Sequence, residues 1–130
     1  IAALREWQQE CLAIVAPATL RSIGTILTLA ESLAKSDRGI ETLTWLSRWI
    51  RDLLLVHVGG DRDQILHLEQ MAQLQDYART TDLTLLLDLI KEIERAQQNA
   101  TRNLNLHMAL ESCLLKLREA IGLVPAGSPV

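Results

Sequence analysis

The sequence predicts an all-α fold, a compact orthogonal bundle of five to six helices, and three observations lead there. Leucine supplies 26 of the 130 residues, and it keeps most of its rotamer freedom in a helix. Aromatics reach only 3%, as Trp7, Trp45, Trp49 and Tyr77 with no Phe, so the residues that favour pleated surfaces are scarce. Apolar residues return every three or four positions along most of the chain, the period of a helical stripe.

The first stripe runs from Ala2 to about Val15 through Leu4, Trp7, Cys11, Ile14 and Val15, and Pro17 ends it. A second helix spans about Ala18 to Ala34, with Leu20, Ile23, Leu27, Ala30 and Ala34 on its stripe and Ile26, Leu29 and Leu33 beside it. Ser36 and Asp37 are cap-type residues, and Glu41 falls where acid suits a helix N-terminus. They open the longest helix, about Asp37 to Val58. Its apolar positions, Ile40, Leu43, Trp45, Leu46, Trp49, Ile50, Leu53, Leu54 and Val56, cover about half the circumference, which marks it as central. Glu41, Arg48, Arg51 and Asp52 form its polar side, and Gly59-Gly60 stops it.

A shorter fourth helix lies within Arg62 to Arg79, on Leu68, Met71, Ala72, Leu74 and Ala78. Thr80-Thr81-Asp82 caps a fifth, from Leu83 to Arg102, in which Leu86, Leu89, Ile90, Ile93, Ala96 and Ala100 oppose a charged face. Asn103-Leu104-Asn105 breaks the register. Asn105 then caps a sixth helix whose stripe is Leu106, Leu110, Cys113, Leu114, Leu117 and Ile121, and Gly122 closes it. Residues 1–122 therefore form one helical domain, and 123–130, carrying Pro125, Gly127 and Pro129, form a flexible tail. The chain begins with Ile1 rather than Met and reads as part of something longer.

Charge and cysteine usage narrow the function classes. Net charge is −3, which offers no basic field for a phosphate backbone and argues against direct nucleic-acid binding. Cys11 and Cys113 each sit inside an apolar helical pattern and are expected as reduced core residues of a cytoplasmic protein. No apolar run approaches the roughly 18 residues of a membrane span; the longest, Leu53 to Val58, contains His57.

Motifs for chemistry are lacking. There is no phosphate loop, no GxGxxG, no CxxC and no HExxH. His57, His67 and His107 are not spaced to share a metal with Asp61 and Asp63. His57 is expected to complement a helix C-terminus, with His67 and His107 solvated. Asp61-Arg62-Asp63 begins like a calcium loop, but Gln64 and Ile65 stand where a ligand and the Gly should be. Asn99-Ala100-Thr101 matches a glycosylation pattern on a helix face of a chain expected in the cytoplasm. No catalytic residue, cofactor or metal is expected. One positive signal remains: Met108 and Leu115, seven residues apart on the last helix, form an apolar strip off the main stripe, flanked by Glu111 and Glu119.

Trp49-Ile50-Arg51-Asp52-Leu53-Leu54-Leu55-Val56 followed by Gly59-Gly60 resembles a segment of the C-terminal domain of the delta-prime subunit of bacterial DNA polymerase III. Asn103-Leu104-Asn105 followed by Leu106 to Glu111 and Leu114-Leu115-Lys116-Leu117 is similar to the closing pattern of that family. The resemblance implies a clamp-loader collar domain. In that family five such domains, from delta, delta-prime and gamma or tau subunits, hold a ring together while AAA+ modules load the sliding clamp on primed DNA. This chain lacks those modules and their serine-arginine-cysteine motif. The function implied is non-catalytic assembly, with Met108, Glu111, Leu115 and Glu119 facing a neighbouring subunit or a copy of the chain. Trp49, Arg51, Asp52, Asn103 and Asn105 are the structural motif residues, Arg51 and Asp52 bonding outward to orient the packing. The alternatives are the equivalent domain of a gamma or tau subunit, and an all-helical ligand-binding domain of a regulator, which would need an enclosed pocket with convergent polar groups.

Overall fold

Cap chemistry sets the helix boundaries and adds one helix to the expected number. The structure, a computed structural model, describes residues 2–60, 62–65, 70–100 and 105–123. Within them lie seven α-helices and no strand. They are α1 (Ala2–Ile14), α2 (Pro17–Leu20), α3 (Ile23–Lys35), α4 (Gly39–His57), α5 (Met71–Thr80), α6 (Leu83–Ala100) and α7 (Leu106–Ala120), with a 3₁₀ turn at Arg62–Gln64. Pro17 opens α2 as its first residue, where a missing amide costs nothing.

The expected second helix is two helices. Ser22 adopts an extended conformation, and its hydroxyl oxygen accepts from the Thr25 amide at 3.2 Å, so α3 begins there. The interruption also re-aims the stripe: Ile26 and Ala30 are buried, whereas Leu27 is exposed. The central helix starts at Gly39 rather than Asp37. The hydroxyl of Ser36 accepts from the Arg38 amide at 3.0 Å, which closes the preceding turn, and no side chain caps α4.

Gly39 takes that first position for a steric reason. A Cβ there would lie 2.7 Å from both the Leu33 carbonyl oxygen and Leu106 Cδ2. The start of α4 is thus wedged between the end of α3 and the start of α7. Two helices end as expected on glycine. At Gly59 (φ +74°) the Gly59 amide donates to the Val56 carbonyl and the Gly60 amide to that of Leu55. At Gly122 (φ +78°) the amides of Gly122 and Leu123 donate to Glu119 and Arg118 in the same way. Both are paired-bond terminations that need a left-handed residue after the last turn.

The core is centred on α4. Leu43, Leu46, Trp49, Ile50 and Leu53 are buried, and the Trp49 ring meets Tyr77 of α5 edge to face with centroids 5.7 Å apart. Trp45 is also buried, as its four-residue spacing from Trp49 implies. Tyr77 donates its hydroxyl to the Val15 carbonyl at 2.6 Å, tying α5 to the chain just after α1, and burial pushes its phenol up to about 12. Ile40, by contrast, is 48% exposed. It belongs to the apolar stripe by spacing, but the helices packed on α4 leave it half uncovered.

Helix α7 is covered on two sides, by α3 and by α6. It runs antiparallel to α3, since its first residue Leu106 lies beside Gly39, just past the end of α3, while Arg118 near its own end donates to the Arg21 carbonyl at 3.3 Å. The last turn is also fastened to the α5–α6 corner. The Thr80 hydroxyl donates to the Ile121 carbonyl at 2.5 Å and the Asp82 amide to that of Ala120 at 2.8 Å. Asp82 caps α6 as expected, accepting from the Leu85 amide at 3.0 Å. Asn105 does not cap α7. It stands at the cap position with φ 54° and ψ 41°, its side chain makes no cap bond, and its backbone carbonyl accepts from Ala109 instead. Leu68, Arg102, Asn103 and the tail beyond Leu123 lie outside the described residues.

Candidate functional site

The expected strip on α7 separates into an exposed residue and a packed one. Met108 is 66% exposed, the most open large apolar side chain among the described residues. Leu115 is half-buried and packs against the core. Seven residues advance a helix by about 700°, some 20° short of two turns, so the two share a face. That face meets the flanking helices more closely near Leu115. Leu115, although off the main stripe, is therefore part of the packed fold.

The border of the strip is charged and organised. His107 and Glu111 lie one turn apart on α7, His107 Nε2 at 3.3 Å from Glu111 Oε2. Across on α3, Lys35 Nζ donates to Glu31 at 3.0 Å and holds that carboxyl below its ordinary value. Glu119 is exposed near the end of the helix. Met108 therefore rises from a polar ring, the layout of an apolar centre with a hydrated rim.

On the other flank, Glu92 of α6 reaches α7 and receives the Ser112 hydroxyl at 2.6 Å and Lys116 Nζ at 2.5 Å. Burial pushes this carboxyl up, but the two hydrogen bonds and the nearby cations outweigh it and leave its pKa lowered. Periodicity alone assigns Glu92 to an outward face. Its partners lie 20 and 24 residues away, where no local pattern connects them. Arg118 is a second such residue: it is buried at the α3–α7 contact, and no motif marks it.

Arg51 and Asp52 diverge. Arg51 is exposed and lines a groove between α4 and α6 with Leu54, Ile90 and Gln97. Asp52 is not on the polar side: it is 1% exposed, and it is not left without an interaction. Successive helical positions are about 100° apart, enough to place one in water and the other in the core. Trp49 sits on the core side of that segment, fully buried. His57 closes α4, its Nδ1 at 3.0 Å from the Ala78 carbonyl, as befits a polar group at a helix C-terminus.

A second open groove lies between α1 and α4. Trp7 and Leu12 form one wall, Ile40 and Trp45 the other, and Arg5 and Arg48 stand among its lining residues. Arg38 covers the Trp7 ring at 5.3 Å from its centroid.

Nothing among the described residues assembles a reactive centre. No group of three or more His, Cys, Asp or Glu could hold a metal there. Cys11 and Cys113 are buried free thiols, both pushed up to about 12 by burial, which makes them inert core residues. No described helix is long and apolar enough to cross a membrane.

Residues 5–119 match the family model described as DNA polymerase III, delta subunit, C terminal. No curated protein and no solved structure matches the chain.

Proposed function

The chain belongs to the family of C-terminal domains of the DNA polymerase III delta subunit, a non-catalytic clamp-loader family, and from its motif resemblance we propose that within the clamp loader it is a delta-prime collar domain. Its role is assembly: it joins delta and gamma or tau subunits by burying complementary surface, and no bond is made or broken. Trp49 to Val56 followed by Gly59-Gly60 supports the delta-prime reading through its resemblance to that subunit's segment; the run forms the end of α4 and the glycines close it. The collar works in the bacterial cytoplasm, where replication takes place.

One observation carries the contact assignment. Met108 is two-thirds exposed on a helix flanked by α3 and α6, and an isolated monomer leaves it in water. A neighbouring subunit that covers Met108 meets Glu111 and Glu119 at the edge and Leu115 beneath. Met108→Ser should leave the melting temperature unchanged and weaken binding to a reconstituted partner collar by about 1 to 3 kcal/mol. Unchanged affinity would show that α7 is not the contact. For the subunit assignment, a ring reconstituted with the chain in the place of delta, and not of delta-prime, would overturn it.

A further inference from the structure

The groove between α1 and α4 is an unfilled apolar surface on a different part of the molecule from the α7 strip. Its walls are the rings of Trp7 and Trp45 with Leu12 and Ile40, and Ile40 is nearly half exposed although it belongs to the central helix. A half-exposed aliphatic side chain in a groove that two tryptophans also line is suited to receive another apolar side chain.

The charge around it is the reverse of the chain's. The protein carries −3 overall, yet the charged residues lining the groove, among the described residues, are Arg5, Arg48 and Glu41. Glu41 is taken by Arg38 at 3.9 Å, and neither Arg5 nor Arg48 has an acidic partner among the described residues. The acids of α1, Glu6 and Glu10, are not among the lining residues. Among the described residues, the groove therefore combines an apolar set with two exposed arginines and the uncharged polar side chains of Gln8, Gln9, Thr44 and Gln70.

Both walls are helices, and a helix offers no free edge to an extended strand. An occupant has to satisfy its own backbone. The wall segments, Arg5 to Leu12 and Ile40 to Arg48, are each roughly 11 to 12 Å long at 1.5 Å per residue, about two turns of helix. We propose that the α1–α4 groove docks an acidic amphipathic helix of another protein, its apolar residues at i, i+3 or i+4 and i+7 entering between Trp7, Ile40 and Trp45 and its Asp or Glu residues meeting Arg5 and Arg48.

The proposal is tested on the full 130-residue chain with three labelled synthetic peptides. One is an amphipathic helix with leucines at those spacings and glutamates beside them, the second has every glutamate replaced by lysine, and the third has the first composition with a central proline. The acidic helix should bind saturably, at least about tenfold more tightly than the lysine version, and quench the tryptophan fluorescence. Arg5→Glu with Arg48→Glu should abolish that preference with the melting temperature unchanged, because both side chains are exposed. Ile40→Ser should weaken binding of the acidic helix, and Met108→Ser should not, which separates this surface from the α7 contact. Equal binding of the acidic and lysine peptides, equal binding of the proline peptide, or no saturation up to about 1 mM overturns the proposal.

Discussion

Helices α7 and α1 show opposite ways of joining the same core. Helix α7 is flanked by α3 and α6 and anchored at its end by Thr80 and Asp82. Beside it Glu92 ties α6 to Ser112 and Lys116. Helix α1 is held mainly at its C-terminal end, where Cys11, Ile14 and Val15 are buried and Tyr77 bonds the Val15 carbonyl. Its first two turns lean on α4 across an open groove. Packing is closest where a helix is enclosed, and an open groove survives where one is held at a single end. Both helices nevertheless leave apolar surface in water, α7 at Met108 and α1 with α4 at the groove that Trp7 and Ile40 line.

The contrast breaks first if the core is not where the enclosed helices meet. Trp49→Ala removes the fully buried ring between α4 and α5 and should cost about 3 to 5 kcal/mol, measured from the urea midpoint. A change below about 1 kcal/mol would mean that α4 is not the centre. The next test compares two glycines. Gly39→Ala forces a Cβ onto the Leu33 carbonyl and Leu106 and should destabilise by about 1 to 3 kcal/mol, although alanine is the better helix former. Gly24→Ala has nothing within 4 Å and should stabilise by about 0.5 to 1 kcal/mol through the unfolded chain. Thermal melts of both variants check the pair, and equal signs would remove the α3–α4–α7 wedge.

The smallest effect concerns acid. The pKa of Glu92 is lowered in the folded state from 4.5, so its stabilisation is present above that pH and is lost as pH falls through the folded value. Glu92→Gln should flatten the acid limb of stability against pH. The same limb in both proteins would show that the α6–α7 bridge adds nothing, the usual outcome for a solvated pair. Part of the Glu92 side chain remains in water, which keeps the expected change small.

Helix identity, the glycine terminations and the Asp82 cap were legible in the sequence, because each depends on residues within one or two turns of one another. The all-α class, the burial of Trp45 and Trp49 and the family resemblance rest on the same local order. The split at Ser22 was available to the same reasoning, since a serine before Ile23 is a cap signal, but an apolar stripe running through it masked the break.

Tertiary structure alone decided the rest. Asp52 is buried and Arg51 exposed, Leu115 is packed and Met108 open, and Glu92 turns inward. Each depends on which helix passes at that height, and sequence spacing on one helix carries no information about its neighbour. Gly39 is the sharpest case: its lack of a side chain is required by Leu33, six residues before it, and by Leu106, which arrives from the far end of the chain. Periodicity determines which face of a helix is apolar, and only the packing of the other helices determines how much of that face is covered.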